Sequence, residues 1–166
     1  MVCAFIYTSH KTPIGTLNLI AREEVLLAAN LSTISAAKAS LDEDDCTNGF
    51  KEVKSIPVIS DHINDYFDGD LSALNAIKVR QPGAPFSQAA WKAMRRVKAG
   101  KTLSYAELAD RAGSSAAVRA AGSACAKNAI VLVVPCHRIV KTGGALGNYA
   151  YGLNKKEWLL RFEAAL

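Results

Sequence analysis

Apolar and polar positions alternate loosely from Phe5 to Val25, broken by Thr12-Pro13-Ile14-Gly15. This pattern predicts one strand before the break and a second over residues 16–21. Glu23-Glu24 predicts another turn, and Val25-Leu26-Leu27-Ala28-Ala29 a third strand. Three short strands in succession predict a small antiparallel sheet. Residues 35–41 predict a short helix. Residues 42–48, with the run Asp42-Glu43-Asp44-Asp45, predict a solvated connection. Between residues 57 and 67 the apolar positions Ile59, Ile63, Tyr66 and Phe67 have helical spacing. Val58 and His62 fall on the same side, His62 reads as a helix-surface residue, and Gly69 supplies a stop. Residues 71–83 predict an extended crossover in which Ile77 and Val79 alternate. The boundary between the two parts falls there, giving residues 1–79 and residues 80–166.

The second part has the period of helices. One is predicted over residues 88–99, with Ala90, Trp91, Met94 and Val97 on its apolar face and Gly100 at its end. Ser104-Tyr105-Ala106-Glu107 has the form of a capping box, in which Ser at the N-cap and Glu three positions later satisfy each other's backbone N–H groups. The helix it opens ends at Ala112-Gly113. Ser114 or Ser115 then caps a further helix over residues 116–126. Two short helices joined by a glycine turn make a helix-turn-helix, a geometry shared by DNA readers and by many other helical domains. The second of these helices is built from Ala116, Ala117, Ala120, Ala121, Gly122, Ala124 and Ala126, with Arg119 its one long charged group. Such a helix suits close approach to a groove or close packing on a core. Asn154 predicts the start of a last helix through Trp158, Leu159, Leu160 and Phe162. Glu163 near its end opposes the helix dipole and reads, by spacing alone, as plain surface.

One stretch breaks the pattern. In residues 131–140 two apolar, largely β-branched runs flank Pro135-Cys136-His137-Arg138. The run before Pro135 predicts a buried extended segment, which proline stops because it lacks an N–H. Polar groups inserted in apolar sequence cost free energy unless partnered. A free cysteine is ordinarily an inert core residue. An adjacent imidazole or guanidinium instead eases loss of the thiol proton. Cys136 is therefore a candidate nucleophile. Successive strand residues point to opposite faces, so Cys136 and His137 can act together only through a backbone bend or a bridging water.

Composition narrows the picture. The chain has 166 residues, half of them hydrophobic and 21% charged, which fits a folded chain with a substantial core and no disorder. No apolar run approaches the ~20 residues of a membrane span, and the N-terminus lacks the basic segment of a signal peptide. Cys3, Cys46, Cys125 and Cys136 form no C-x-x-C pair, which argues against a zinc site or redox dithiol and for a reducing cytoplasm. The net charge is +5. It is divided, with an acidic balance up to Leu71 and a basic one from Ser72 onward. A basic C-terminal part suits a polyanionic partner or merely solubility.

Pro135-Cys136-His137-Arg138-Ile139-Val140 resembles the active-site signature of the O6-alkylguanine-DNA alkyltransferases. Gly83-Ala84-Pro85-Phe86 with Trp91, Thr102-Leu103-Ser104-Tyr105, Arg119-Ala120-Ala121-Gly122, Asn128, Gly152-Leu153 and the stretch from Lys156 to Glu163 extend the likeness. Before Gly83 it is looser, carried by Thr12-Pro13-Ile14-Gly15 and Tyr66-Phe67-Asp68-Gly69. The resemblance implies an α+β chain, with a ribonuclease H-like structural domain over residues 1–79 and a helical DNA-binding, alkyl-accepting domain over residues 80–166.

It implies a single-turnover methyltransferase acting on O6-alkylguanine, and on O4-alkylthymine, in double-stranded DNA. The protein would be cytoplasmic and monomeric, with no cofactor, no metal and no membrane partner. Cys136 would accept the alkyl group, His137 would draw the thiol proton through a water, Glu163 would orient His137, and Asn128 would brace the turn. Tyr105 would donate towards guanine N3, and Arg119 would replace the extruded base in the stack. The small-residue helix would lie in the minor groove. Backbone groups of Cys136, Ile139 and Ala150 would read the base under the Tyr149 loop. Ala129 and Lys98 stand where the family has proline. Cys3 lacks the second cysteine or paired histidines of the relatives that bind zinc. The competing readings are a lesion-binding sensor without transfer, against which the retained Cys136 argues, and a cysteine hydrolase, which leaves Arg119 and the helix-turn-helix unused.

Overall fold

A computed structural model describes residues 4–42 and 49–166. Cys3, Cys46 and the acids Glu43, Asp44 and Asp45 lie outside the described residues. The fold is mixed α and β, in two compact units. One unit takes the chain through Pro82 together with Ala129–Val133; the other takes Gly83–Asn128 and Val134–Leu166.

The first unit is built on the predicted meander: β1 (Phe5–Thr12), β2 (Gly15–Arg22) and β3 (Val25–Asn30), paired antiparallel. The β1–β2 turn is fastened by Thr12, whose hydroxyl donates to the Gly15 carbonyl at 2.7 Å and accepts from the Ile14 N–H. The sheet is wider than the meander. The short strands β4 (Phe50–Glu52) and β5 (Lys78–Val79) add at its edges, each parallel to its neighbour, giving the order β4-β1-β2-β3-β5. Parallel pairing needs a crossover between strands.

Leu17 through Ala21 are buried without interruption along β2, the signature of a strand covered on both faces. Helix α1 (Ile34–Ala39), capped by the Thr33 hydroxyl, contributes Ala37 to a core with Phe5, Ile20, Leu27, Ala28 and Leu41. Helix α2 (Ile59–Phe67) buries Ile59, Ile63 and Tyr66 as its spacing predicts. Val58 does not join that face; it precedes the helix at φ 69° and is exposed. A 3₁₀ turn at Ala73–Ala76 occupies part of the predicted extended crossover.

The apolar run before Pro135 is not a strand. Ile130 makes a single bridge with Ala29, after which residues 131–133 turn, with Leu132 at φ 73°. The Ala29 N–H donates to the Ala129 carbonyl, and the Val131 N–H returns to the Ala29 carbonyl. The run is buried because it sits on this unit's sheet. Burial without alternation does not distinguish a strand from a turn held in the core.

The second unit opens with α3 (Pro85–Arg95). It starts three residues before the predicted limit because Pro85 sits in the first turn, where its missing N–H costs nothing. Ala90, Trp91, Met94 and Val97 are all buried, and the Trp91 indole donates to the Ala124 carbonyl. The Ser104–Glu107 capping box opens α4 (Tyr105–Arg111) with both of its hydrogen bonds made. Helix α5 (Val118–Ala126) begins two residues later than expected. Neither Ser114 nor Ser115 caps it; Ala117 holds the N-cap position without a side-chain bond. The two helices pack together across the turn at Gly113. Two-residue strands β6 (Leu103–Ser104) and β7 (Ile139–Val140) pair in parallel. Helix α6 (Leu153–Phe162) takes Gly152, not Asn154, as its N-cap and buries Lys156, Leu159 and Leu160. Among the described residues no helix is long and apolar enough to cross a membrane.

Candidate active site

Cys136 sits in the second unit at the start of a 3₁₀ turn, Cys136–Arg138. Pro135, at φ −83° and ψ 68°, has the dihedrals of an inverse γ-turn, and the Cys136 N–H closes it on the Val134 carbonyl at 2.8 Å. The same carbonyl accepts from Asn128 Nδ2 at 2.8 Å. Asn128 thus ties the end of α5 to the turn that carries the thiol. This turn also removes the difficulty of neighbouring residues facing apart, because the strand geometry behind that expectation is absent.

The two residues after Cys136 belong to a buried ionic cluster. His137 Nε2 is 2.9 Å from Glu163 Oε2, both side chains fully buried. Arg138 grips the same carboxylate with Nε on Oε1 and Nη2 on Oε2, each at 2.9 Å, and donates through Nη1 to the Val97 carbonyl at 2.7 Å. Burial alone would raise the Glu163 pKa, but the bonds from His137 and Arg138 outweigh it and hold the carboxyl well below its usual range. Burial lowers the His137 pKa, and Glu163 opposes only part of that shift. The imidazole is therefore neutral near pH 7. With Nε2–H donated to the carboxylate, Nδ1 is the free lone pair, and no group among the described residues bonds to it.

Cys136 forms part of the wall of a cavity of about 430 Å³, together with Tyr105, Arg119, Cys125, Tyr149 and Ala150. Gly122, Ser123, Ala126 and Asn148 complete the lining. Tyr105 is delivered by the β6–β7 pairing, which sets the first residue of α4 beside the Cys136 turn. Its hydroxyl accepts a long bond from the Asn148 N–H. At Gly147, φ is 77° and an added Cβ would lie 2.8 Å from the Tyr105 hydroxyl, so only glycine lets the loop pass this close. Burial raises the Cys136 pKa, with Asn128 and Lys156 pulling the other way. Cys125 is pushed up to about 12, chiefly by burial. Cys136 rests as a neutral thiol with a neutral imidazole as its neighbour in sequence.

The structure brings Cys136, Tyr105, Arg119, Tyr149 and Ala150 to one cavity, ties Asn128 to the turn that carries the thiol, and bonds His137 and Glu163 to each other. Ile139 does not line the cavity. Its N–H bonds the Cys136 carbonyl, and its own carbonyl accepts from Lys156. Sequence reasoning does not single out Arg138, Lys156 or Cys125 as site residues. Arg138 does stand within the polar insertion whose cost demands an explanation. Lys156 shares one helical face with Leu159, Leu160 and Glu163, an apolar stripe on which a lysine is out of place. Cys125 carries no signal beyond its position on the small-residue helix. Among the described residues no three metal-ligating side chains gather.

A family model described as 6-O-methylguanine DNA methyltransferase, DNA binding domain, matches residues 85–165. A methylated-DNA–protein-cysteine methyltransferase of Shigella flexneri is 40% identical over 108 residues, 65% of this chain and 63% of that protein. The match thus spans less than two thirds of the Shigella protein's length. The protein of the same description from Mycobacterium bovis is 34% identical over 157 residues, 95% of this chain and 91% of that one. The crystal structure of Mycobacterium tuberculosis OGT in complex with DNA has a TM-score of 0.79 at 30% identity, covering 96% of this chain and 93% of that one.

Proposed function

Because this chain belongs to the methylated-DNA–protein-cysteine methyltransferase family, we propose that it repairs alkylated DNA by taking the alkyl group of O6-alkylguanine onto Cys136. The observation that carries this reading is a thiol in a cavity wall, adjoining a neutral His137 whose other nitrogen is fixed on Glu163. His137 Nδ1 receives the thiol proton, directly or through one water. The sulfur attacks the O6-bound carbon, the C–O bond breaks, and a thioether and an unmodified guanine, still within the DNA, result. The base leaves neutral if it gains a proton, and the Tyr105 hydroxyl at the cavity wall is suited to donate towards N3. A thioether has no proton to lose and no path back, so each chain acts once.

An extruded base fits this cavity in size, with Tyr149 available to lie against its face. Arg119 stands exposed at the cavity edge, on a helix whose outward positions Ala120, Ser123 and Ala126 carry no bulk. Such a helix suits the minor groove, with Arg119 filling the gap left by the flipped nucleotide. Every group invoked comes from one chain, which suits a monomer, and unpaired thiols at Cys125 and Cys136 suit a reducing cytoplasm. The test is the intact mass of the protein after incubation with duplex DNA containing O6-methylguanine. One methyl is expected, on Cys136, with no turnover, and none in Cys136→Ala. Methylation of the alanine variant would overturn the reading. Tight lesion binding without any mass change would favour a sensor.

A further inference from the structure

Lys156 is fully buried in α6, and no carboxylate stands within ion-pair distance of it among the described residues. Its ammonium donates to two backbone carbonyls, Ile139 at 2.5 Å and Asn148 at 3.0 Å, and lies 5.8 Å from the centroid of the Tyr105 ring. Ile139 is next to the thiol's own turn, and Asn148 lines the cavity. A buried charge without a counter-ion is expensive, and the ordinary outcomes are a partner or deprotonation. Burial does lower the Lys156 pKa. Ionisation of the Cys136 or Cys125 thiol would favour the charged form of this ammonium.

We infer that Lys156 is a positioning residue for the acceptor sulfur: a cation fixed by two carbonyls, whose counter-charge arises only when Cys136 becomes a thiolate. Its charge is then stabilising in the reacting state and unpaired at rest, which is the differential that accelerates a step. Among the described residues the other groups around the thiol supply no comparable cation. His137 is neutral, Arg138 is engaged by Glu163, and Cys125, Tyr105 and Tyr149 are neutral acids with raised pKa values. Arg119 is exposed to solvent, where its field is screened.

The inference concerns the thiol of the repair function proposed above, but its test uses iodoacetamide and no DNA, so either can fail while the other stands. In that reaction the thiolate displaces iodide to give the carbamidomethyl thioether, and the rate against pH reads the ionisation of the thiol. The rate is followed at the Cys136 peptide by mass. Lys156→Gln keeps N–H donors for the two carbonyls and removes the charge; Lys156→Arg keeps the charge. In the glutamine variant the midpoint is expected to rise by about one pH unit and the rate at pH 7 to fall about tenfold. The arginine variant is expected to stay near the wild type. A folded glutamine variant with the wild-type midpoint would overturn the inference.

Should that variant fail to fold, the wild type decides. After Cys136 is capped by carbamidomethylation, the ¹³Cε titration of Lys156 is expected to shift to lower pH, because the potential thiolate is gone. An unchanged titration would overturn it equally.

Discussion

Glu163 receives three short bonds from two side chains that lie 25 and 26 residues away in sequence, and it is almost fully buried. Glu163→Gln leaves Arg138 buried with a neutral partner. A loss of about 3 kcal/mol in unfolding free energy is expected in urea, the scale for breaking a buried pair from one side. The pH dependence has a definite sign. The folded-state pKa of Glu163 is depressed, so its stabilisation is present above about pH 4 and is lost as pH falls towards the folded value. That of His137 is depressed as well, so below about pH 6.5 protons favour the unfolded chain. The urea midpoint is therefore expected to be level near pH 7, to decline below 6.5, and to fall more steeply near 4. Glu163→Gln should start lower and lose the steep acid limb; an unchanged limb would contradict the ionic cluster.

Taken by its own position in the sequence, Glu163 is an unfavourable charge at a helix end. The guanidinium that makes it favourable is remote in the chain, and only the family resemblance marks the residue. His137 and Cys136 are legible because their polar insertion is local.

Elements show the same division between local and remote causes. The capping box, the Trp91 face of α3 and the β1–β2 turn are legible because each lies within a few residues of sequence. The parallel edges β4 and β5, the single bridge at Ile130 and the late start of α5 are not, because partners elsewhere in the chain decide them. The β2–β3 hairpin adds a local strain that spacing alone does not reveal. Its two turn residues, Glu23 at φ 53° and Glu24 at φ 66°, both occupy the left-handed region. That region costs an L-residue about 1 kcal/mol, and Asn-Gly is the pair that accepts it most easily in a two-residue hairpin. Glu23→Asn with Glu24→Gly is expected to raise stability by about 1 kcal/mol, read as an increase in thermal midpoint. A fall would mean that the glutamates make compensating contacts.

At the scale of the whole molecule, the acidic N-terminal half and the basic remainder divide the charge, and every group of the cavity falls in the basic half. Arg119 lines that cavity and is exposed, and on the proposed function it would link the cavity to a duplex. Arg119→Ala is expected to slow repair in duplex DNA at least about tenfold while leaving reaction with free O6-benzylguanine near the wild-type rate. Equal losses on both substrates would remove its role in holding a base extruded.

On the proposed function, the small exposed residues Ala120, Ser123 and Ala126 of α5 have a consequence for search. A protein that must inspect every guanine in a long duplex is slowed by each favourable contact that depends on sequence. Alanine and serine at positions 120, 123 and 126 offer a groove almost nothing to grip, so neighbouring registers along the DNA differ little in energy. Sliding driven by phosphate attraction is then smooth. On that reading discrimination is deferred to the one base that swings out, and the helix that carries Arg119 would contribute speed instead of selectivity.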